Sequence, residues 1–112
     1  MVEHNSDTLD TTFHALSDST RRDILFRLAQ KEHTVNEIAE PYDMTLAAVS
    51  KHLKVLERAK LIVRKKEGRR YRCRMNYEPL KPASELIEKY RTFWETRLDE
   101  LEQFLEENRP EE

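Results

Sequence analysis

Glycine, cysteine and long apolar runs are all scarce in this chain. Gly68 is the only glycine in 112 residues. Together with a charged fraction of 38%, that points to a helix-rich soluble protein with few loops. Cys73 is the only cysteine, which excludes an intrachain disulfide and a cysteine-cluster metal site. No apolar run is long enough to span a bilayer, and the N-terminus lacks the apolar segment of a signal peptide. A cytoplasmic, reducing setting follows as the expectation. The length suits one domain with a modest core.

What the chain does have is charge, unevenly placed. The net charge of −2 is a sum of three unlike blocks. Residues 1–44 hold four basic and nine acidic side chains, residues 45–76 eleven and two, and residues 77–112 five and eleven. The block charges are therefore −5, +9 and −6. A cationic centre between acidic ends suggests a local anion-binding surface, such as one for nucleic acid.

The centre opens with the stretch from Thr45 to Ala59. Thr45 can cap a helix through its hydroxyl. Val49, Leu53 and Leu56 then recur at helical spacing as one apolar face. Ala47, Ser50, Lys51 and Lys54 fall mostly on the other faces, with His52 to one side. Small residues let a backbone approach, serine can bond base edges or phosphates, and lysine neutralises phosphate. Such a helix suits a DNA major groove. Just upstream, Thr34 and Glu37 fit a capping box that opens a short helix with Val35, Ile38 and Ala39 inward. Pro41 ends it. A short capped helix, a tight turn and a cationic helix make a helix-turn-helix over residues 34–59.

After Lys60 the period changes. Leu61, Ile62 and Val63 are apolar, Gly68 marks a hairpin tip, and Tyr71, Cys73 and Met75 alternate with Arg70, Arg72 and Arg74. This predicts a β-hairpin over residues 61–75, inward at Tyr71, Cys73 and Met75. Its outer face and tip carry Lys65, Lys66, Arg69, Arg70 and Arg72. A hairpin after a recognition helix is a wing, suited to the minor groove or flanking phosphates. The rival reading is edge charge that prevents strand aggregation. It is disfavoured because acidic residues would serve that role equally well and are almost absent.

Two more helices precede the helix-turn-helix. Residues 1–6 are polar and are expected to fray. Leu9, Thr12, Phe13 and Leu16 have helical spacing, with Asp7 or Thr8 as cap. Asp18 or Ser19 can cap a second helix that buries Ile24, Leu25 and Leu28. Arg21, Arg22 and Arg27 are expected to reach outward, with Arg21 or Arg22 contacting phosphate or pairing with Asp18 or Asp23. A last helix is expected from Pro79 or Pro82 to about Glu107. There Ile87, Tyr90, Trp94, Leu98, Leu101 and Leu105 form a stripe widened by Leu86, Phe93 and Phe104. That stripe is longer than one small domain can cover, so a partner helix is implied, most economically from a second copy. The tail from Asn108 to Glu112 is expected to be disordered.

With these parts in place the chain resembles the arsenic-repressor (ArsR) family of winged-helix transcriptional regulators. The residues carrying the likeness are FHALSDSTRRDIL (13–25), TVNEIA (34–39), VSKHLKVL (49–56) and AKLI (59–62). The likeness spans roughly residues 9–105, with Ser19 where the family usually has proline. It implies a mainly α winged helix-turn-helix fold with a small hairpin and a long dimerisation helix over residues 79–107. It also implies a homodimeric repressor on double-stranded DNA with a palindromic operator. The first and last helices, with Leu9, Phe13, Leu16, Ile87, Tyr90, Trp94, Leu98, Leu101 and Leu105, would form the interface. Ala47, Ser50, Lys51 and Lys54 would face bases and nearby phosphates, while His52 suits a phosphate or packing role.

The best-known members carry a Cys-x-Cys pair in the helix that Val35–Ala39 occupies here, or Asp/His ligands along the last helix. This chain has neither, and His4, His14 and His33 share no helical spacing, so no metal or other cofactor is expected. Cys73 reads as a small buried hydrophobe before it reads as a thiol switch. Tyr90, Phe93 and Trp94 suit a dimer core better than a pocket for an unknown small-molecule effector. Two other function classes fit the sequence less well. A winged helix used only as a protein-interaction module is argued against by the +9 block. An enzyme is argued against by the lack of a nucleophile triad, phosphate loop or paired-carboxylate site.

Overall fold

The computed structural model describes residues 2–110, and the side chains of residues 7–110. In chain order the elements are α1 (Val2–Leu16), α2 (Ser19–Gln30), β1 (His33–Thr34), α3 (Val35–Ala39), α4 (Leu46–Arg58), β2 (Ile62–Glu67), β3 (Arg70–Met75) and α5 (Leu80–Glu107). This is the mainly helical winged-helix arrangement expected, with α3 and α4 as the helix-turn-helix and β2–β3 as the wing.

One core holds α1 to β3 together. Ile24 from α2, Ile38 from α3, Val49, Leu53 and Leu56 from α4, and Leu61 and Cys73 beside and within the sheet are fully buried in one cluster. The three α4 members are those whose spacing marked the apolar face. Capping follows the sequence chemistry. Thr34 Oγ1 accepts from the Glu37 N–H at 3.2 Å, and Glu37 Oε1 accepts from the Thr34 N–H at 2.7 Å. Asp18 caps α2, its Oδ2 accepting from the Arg21 N–H at 3.1 Å. The wing turns at Gly68–Arg69 with Gly68 at φ 62°, the pattern of a II′ hairpin connection.

Four expectations need correction. The sheet has three strands, not two: β1 pairs with β3 (His33 with Cys73, Thr34 with Arg72), giving the order β1-β3-β2. The first helix begins at Val2 rather than at Asp7 or Thr8, because no glycine or proline breaks the polar segment before Asp7. Tyr71 is 42% exposed although Cys73, on the same face, is buried, because the core ends before the hairpin tip. At the tail, Asn108 caps α5 by donating Nδ2–H to the Phe104 carbonyl at 2.8 Å, and Arg109 pairs with Glu106 at 2.7 Å. Met1, Glu111 and Glu112, which shared the fraying and tail expectations, lie outside the described residues.

Helix α5 leaves the body almost at once. Thr12 on α1 is fully buried, and its hydroxyl donates to the Pro79 carbonyl at 3.5 Å where α5 starts. Ala83 is the only buried residue of the 28 in α5. At about 1.5 Å per residue such a helix is about 42 Å long. The radius of gyration is accordingly 20.1 Å and the longest dimension 73 Å. A compact chain of this length would have a radius of gyration of about 13 Å.

Candidate nucleic-acid interface

The front of α4 follows from its back. With Val49, Leu53 and Leu56 fixed in the core, Ala47, Lys51 and Lys54 are exposed and Ser50 is half-buried. Thr45 Oγ1 accepts from the Ala48 N–H at 3.1 Å, so this hydroxyl is engaged as the N-cap. No carboxylate lies within ion-pairing distance of Lys51 or Lys54 among the described residues. Their ammonium groups are free to meet an anion.

The wing adds a second free set. Lys65, Lys66, Arg69 and Arg70 are exposed around the hairpin tip. Arg72 differs, because its Nε donates to Glu67 Oε2 at 3.1 Å, which raises its pKa further and commits its charge inside the hairpin. Between helix and wing lies a cleft lined by Asn36, Ser50, Arg64, Arg69, Arg70 and Tyr71, with no carboxylate on its walls. The cleft thus sets wing cations beside Ser50 of α4.

Arg64 joins helix and wing. Its Nη2 lies 2.9 Å from Glu57 Oε1 on α4, although the angles fall short of a hydrogen bond, and its Nε has no partner. Its guanidinium also stands 5.7 Å from the centre of the Tyr71 ring. Glu57 is the one acidic residue of α4, and although partly exposed it is turned toward the wing. Cys73 is paired across the strands with Arg64 and fully buried. Burial pushes its thiol up, which disfavours the reactive thiolate.

His52 and the α2 arginines also have internal roles. Nη1 of Arg21 donates to His52 Nδ1 at 3.2 Å, and the Asp18 carboxylate lies 3.7 Å from the same nitrogen. His52 is thus held by Arg21 on the flank of α4. Arg21 and Arg22 pair with neither Asp18 nor Asp23 through their side chains; they donate to carbonyls at the end of α1. Arg27 donates to the Ile38 and Glu37 carbonyls at 2.8 and 2.9 Å and sits over Tyr42. Each guanidinium satisfies helix-end carbonyls that have no intrahelical partner. Neighbouring carboxylates in the sequence gave no sign of this.

The expected dimer residues of α5 are exposed, whereas Leu16 of α1 packs in part against the core. Leu9 and Leu16 are half-buried and Phe13 is 39% exposed on α1. On α5, Ile87, Tyr90, Phe93, Trp94, Leu98, Leu101, Phe104 and Leu105 are each 50–60% exposed. Phe93 and Trp94 meet edge to face with ring centres 5.6 Å apart. Among the described residues no group of three or more His, Cys, Asp or Glu is placed to hold a metal, and no helix is long and apolar enough to cross a membrane.

Comparisons with known proteins agree with this geometry. A family described as "Helix-turn-helix domain" matches residues 16–65. The Bacillus subtilis (strain 168) protein named "Uncharacterized HTH-type transcriptional regulator YuzN" is 42% identical over 79 residues, which cover 64% of this chain and 86% of YuzN. The crystal structure of an ArsR family transcriptional regulator superposes with a TM-score of 0.75 at 36% identity, covering 80% of this chain and 93% of that one. A homodimeric winged helix-turn-helix DNA-binding domain from Mycobacterium bovis, solved in solution, gives a TM-score of 0.60 at 26% identity, covering 94% and 83%.

Proposed function

This chain belongs to the ArsR family of winged helix-turn-helix transcriptional regulators, and from that premise we propose that it is a cytoplasmic, homodimeric repressor that binds a palindromic operator. One observation carries the proposal: unpaired cations are gathered on α4 and the wing, while the apolar stripe of α5 stands open on a separate element. A second copy laid along α5 and α1 covers the stripe through Leu9, Phe13, Leu16, Ile87, Tyr90, Trp94, Leu98, Leu101 and Leu105. It also leaves two cationic surfaces free. The homodimeric state of the M. bovis neighbour supports this assembly.

In the bound dimer each α4 enters a major groove, the two grooves lying about 34–36 Å apart on one face of the duplex. Ala47 and Ser50 admit close approach and supply a hydrogen-bonding hydroxyl. Lys51 reads a base edge and Lys54 meets phosphate, with Thr45 holding the start of the helix. Lys65, Lys66, Arg69 and Arg70 reach the adjoining minor groove or its phosphates. Arg72 and His52 hold those surfaces in place rather than contact DNA. Repression follows where the dimer covers duplex that polymerase needs. Tyr90, Phe93 and Trp94 are assigned to the dimer core and not to an effector pocket.

The test is quantitative binding to duplex carrying the operator as salt is varied. If each subunit neutralises roughly four or five phosphates, the log–log slope lies at about −7 to −9. Lys51→Ala is expected to lower discrimination at one operator position by about 1–3 kcal/mol, whereas Arg69→Ala weakens all sequences alike and flattens the slope by about one. Binding with almost no salt dependence overturns the reading.

A further inference from the structure

We infer that Arg21 ties the recognition helix to the dimerisation platform, with Asp18 and His52, and so sets the distance and twist between the two DNA-reading surfaces. The inference rests on the dimeric DNA-binding reading above and names positioning residues for it.

Three elements meet at this one cation. Arg21 Nε donates to the Ala15 carbonyl at 2.8 Å and Nη2 to the His14 carbonyl at 3.1 Å, both at the end of α1. Nη1 donates to His52 Nδ1 at 3.2 Å, in the middle of α4. The backbone N–H of Arg21 is held by the Asp18 carboxylate, which caps α2. Arginine is only a donor, so Nδ1 of His52 is the acceptor, and the proton of the neutral ring sits on Nε2. The guanidinium is a rigid planar fork, so fixing two of its nitrogens on α1 fixes the direction of the third toward α4.

Core packing alone does not supply this constraint. Val49, Leu53 and Leu56 hold α4 through non-directional apolar contact, which tolerates small slides and rotations. The bond from Arg21 to His52 is directional. It joins the reading helix to α1, whose Phe13 and Leu16 belong to the proposed dimer platform. Arg22 provides an internal control: its Nη1 donates to the Leu16 carbonyl at 2.8 Å, holding the same end of α1 without reaching α4.

The experiment places a spin label on the exposed last turn of α4, at Arg58→Cys in a Cys73→Ala background, and measures the label-to-label distance across the dimer. The starting protein is expected to give a narrow distribution. Arg21→Lys and His52→Leu are each expected to shift or broaden it by several ångströms. His52→Asn, whose Oδ1 stands near the position of Nδ1 and accepts the same bond, is expected to restore it, and Arg22→Lys to leave it unchanged. Binding supplies a second readout on operators whose half-sites are moved apart by one base pair, about 3.4 Å and a tenth of a turn. Arg21→Lys and His52→Leu are expected to lower spacing discrimination about tenfold while the salt slope stays as it was.

Unchanged distances in both Arg21→Lys and His52→Leu overturn the inference, as does an equal change in Arg22→Lys. If Arg21→Lys fails to fold, His52→Leu and its His52→Asn rescue decide. A starting protein that is dimeric but binds no duplex refutes the regulator reading and leaves the label distances to decide the link. One that stays monomeric overturns both.

Discussion

The body of the molecule and its last helix treat the same kinds of side chain in opposite ways. In the body, Ile24, Ile38, Val49, Leu53, Leu56 and Leu61 are fully buried against one another, and the cations of α4 and the wing tip stand without ion-pair partners. In α5 the large apolar residues are half open, and the arginines of the helix and of the position just past its end are paired, while Lys81 and Lys89 are not, among the described residues. Arg91 bridges Glu88 and Glu95, Arg97 meets Glu100, and Arg109 meets Glu106. Such solvent-exposed pairs contribute little to stability. The body thus completes its own core and offers positive charge to a partner, while α5 pairs its arginines with its own carboxylates, stays acidic and offers apolar surface. A duplex suits the first offer and a second α5 the second.

The sharpest way to break this comparison is to damage each apolar set in turn. Leu53→Ala removes a fully buried side chain and is expected to cost about 2–5 kcal/mol in denaturant unfolding. Leu98→Asp, on the open stripe, is expected to leave the body folded and to raise the dimer dissociation constant by about 100-fold or more, read by sedimentation. If Leu98→Asp unfolds the body, or Leu53→Ala merely splits the dimer, the division between the two regions is wrong.

A smaller effect tests how the body is tied together. The backbone N–H of Arg21, ahead of the Arg21 guanidinium charge, holds the Asp18 carboxyl below its ordinary value. A group whose folded pKa is depressed contributes fully above its unfolded pKa and loses that contribution as pH falls through the folded value. Asp18→Ala is therefore expected to cost about 1 kcal/mol at neutral pH. The gap to the unsubstituted protein should close as pH falls below about 4 in acid-titrated melts. A gap independent of pH would show that the cap does not depend on the charge.

The smallest effect concerns Lys60, which follows α4 with φ at 60° in the region that favours glycine. Relief of side-chain crowding there outweighs the extra freedom glycine gives the unfolded chain. Lys60→Gly is thus expected to stabilise by up to about 1 kcal/mol in thermal melts, without changing the dimer.

Much of the fold could be read from residue spacing because single side chains carried it. The step of Val49, Leu53 and Leu56 located the buried face of α4. Thr34 with Glu37 marked the start of α3, and Gly68 marked the wing tip. What stayed hidden depends on partners distant in sequence. Strand β1 is only His33 and Thr34, too short to show alternation, and it exists because β3 pairs with it some forty residues later. The periodicity of Tyr71, Cys73 and Met75 identifies a face but not where the core beneath it ends. At the candidate interface, the exposure of Lys51, Lys54 and the wing-tip cations was legible from the apolar face opposite them. The internal engagement of Arg21, Arg27, Arg64 and Arg72 was not. Their acceptors include helix-end carbonyls, which no residue type announces, and the ion pairs of Arg64 and Arg72 depend on how helix and hairpin lie.

The central claim is that the open stripe of α5 is covered by a second copy of the same chain. Sedimentation equilibrium of the unsubstituted protein across micromolar concentrations tests it most directly. A mass of two chains, falling toward one when Leu98→Asp is introduced, is the predicted result; a mass of one chain at every concentration contradicts the account.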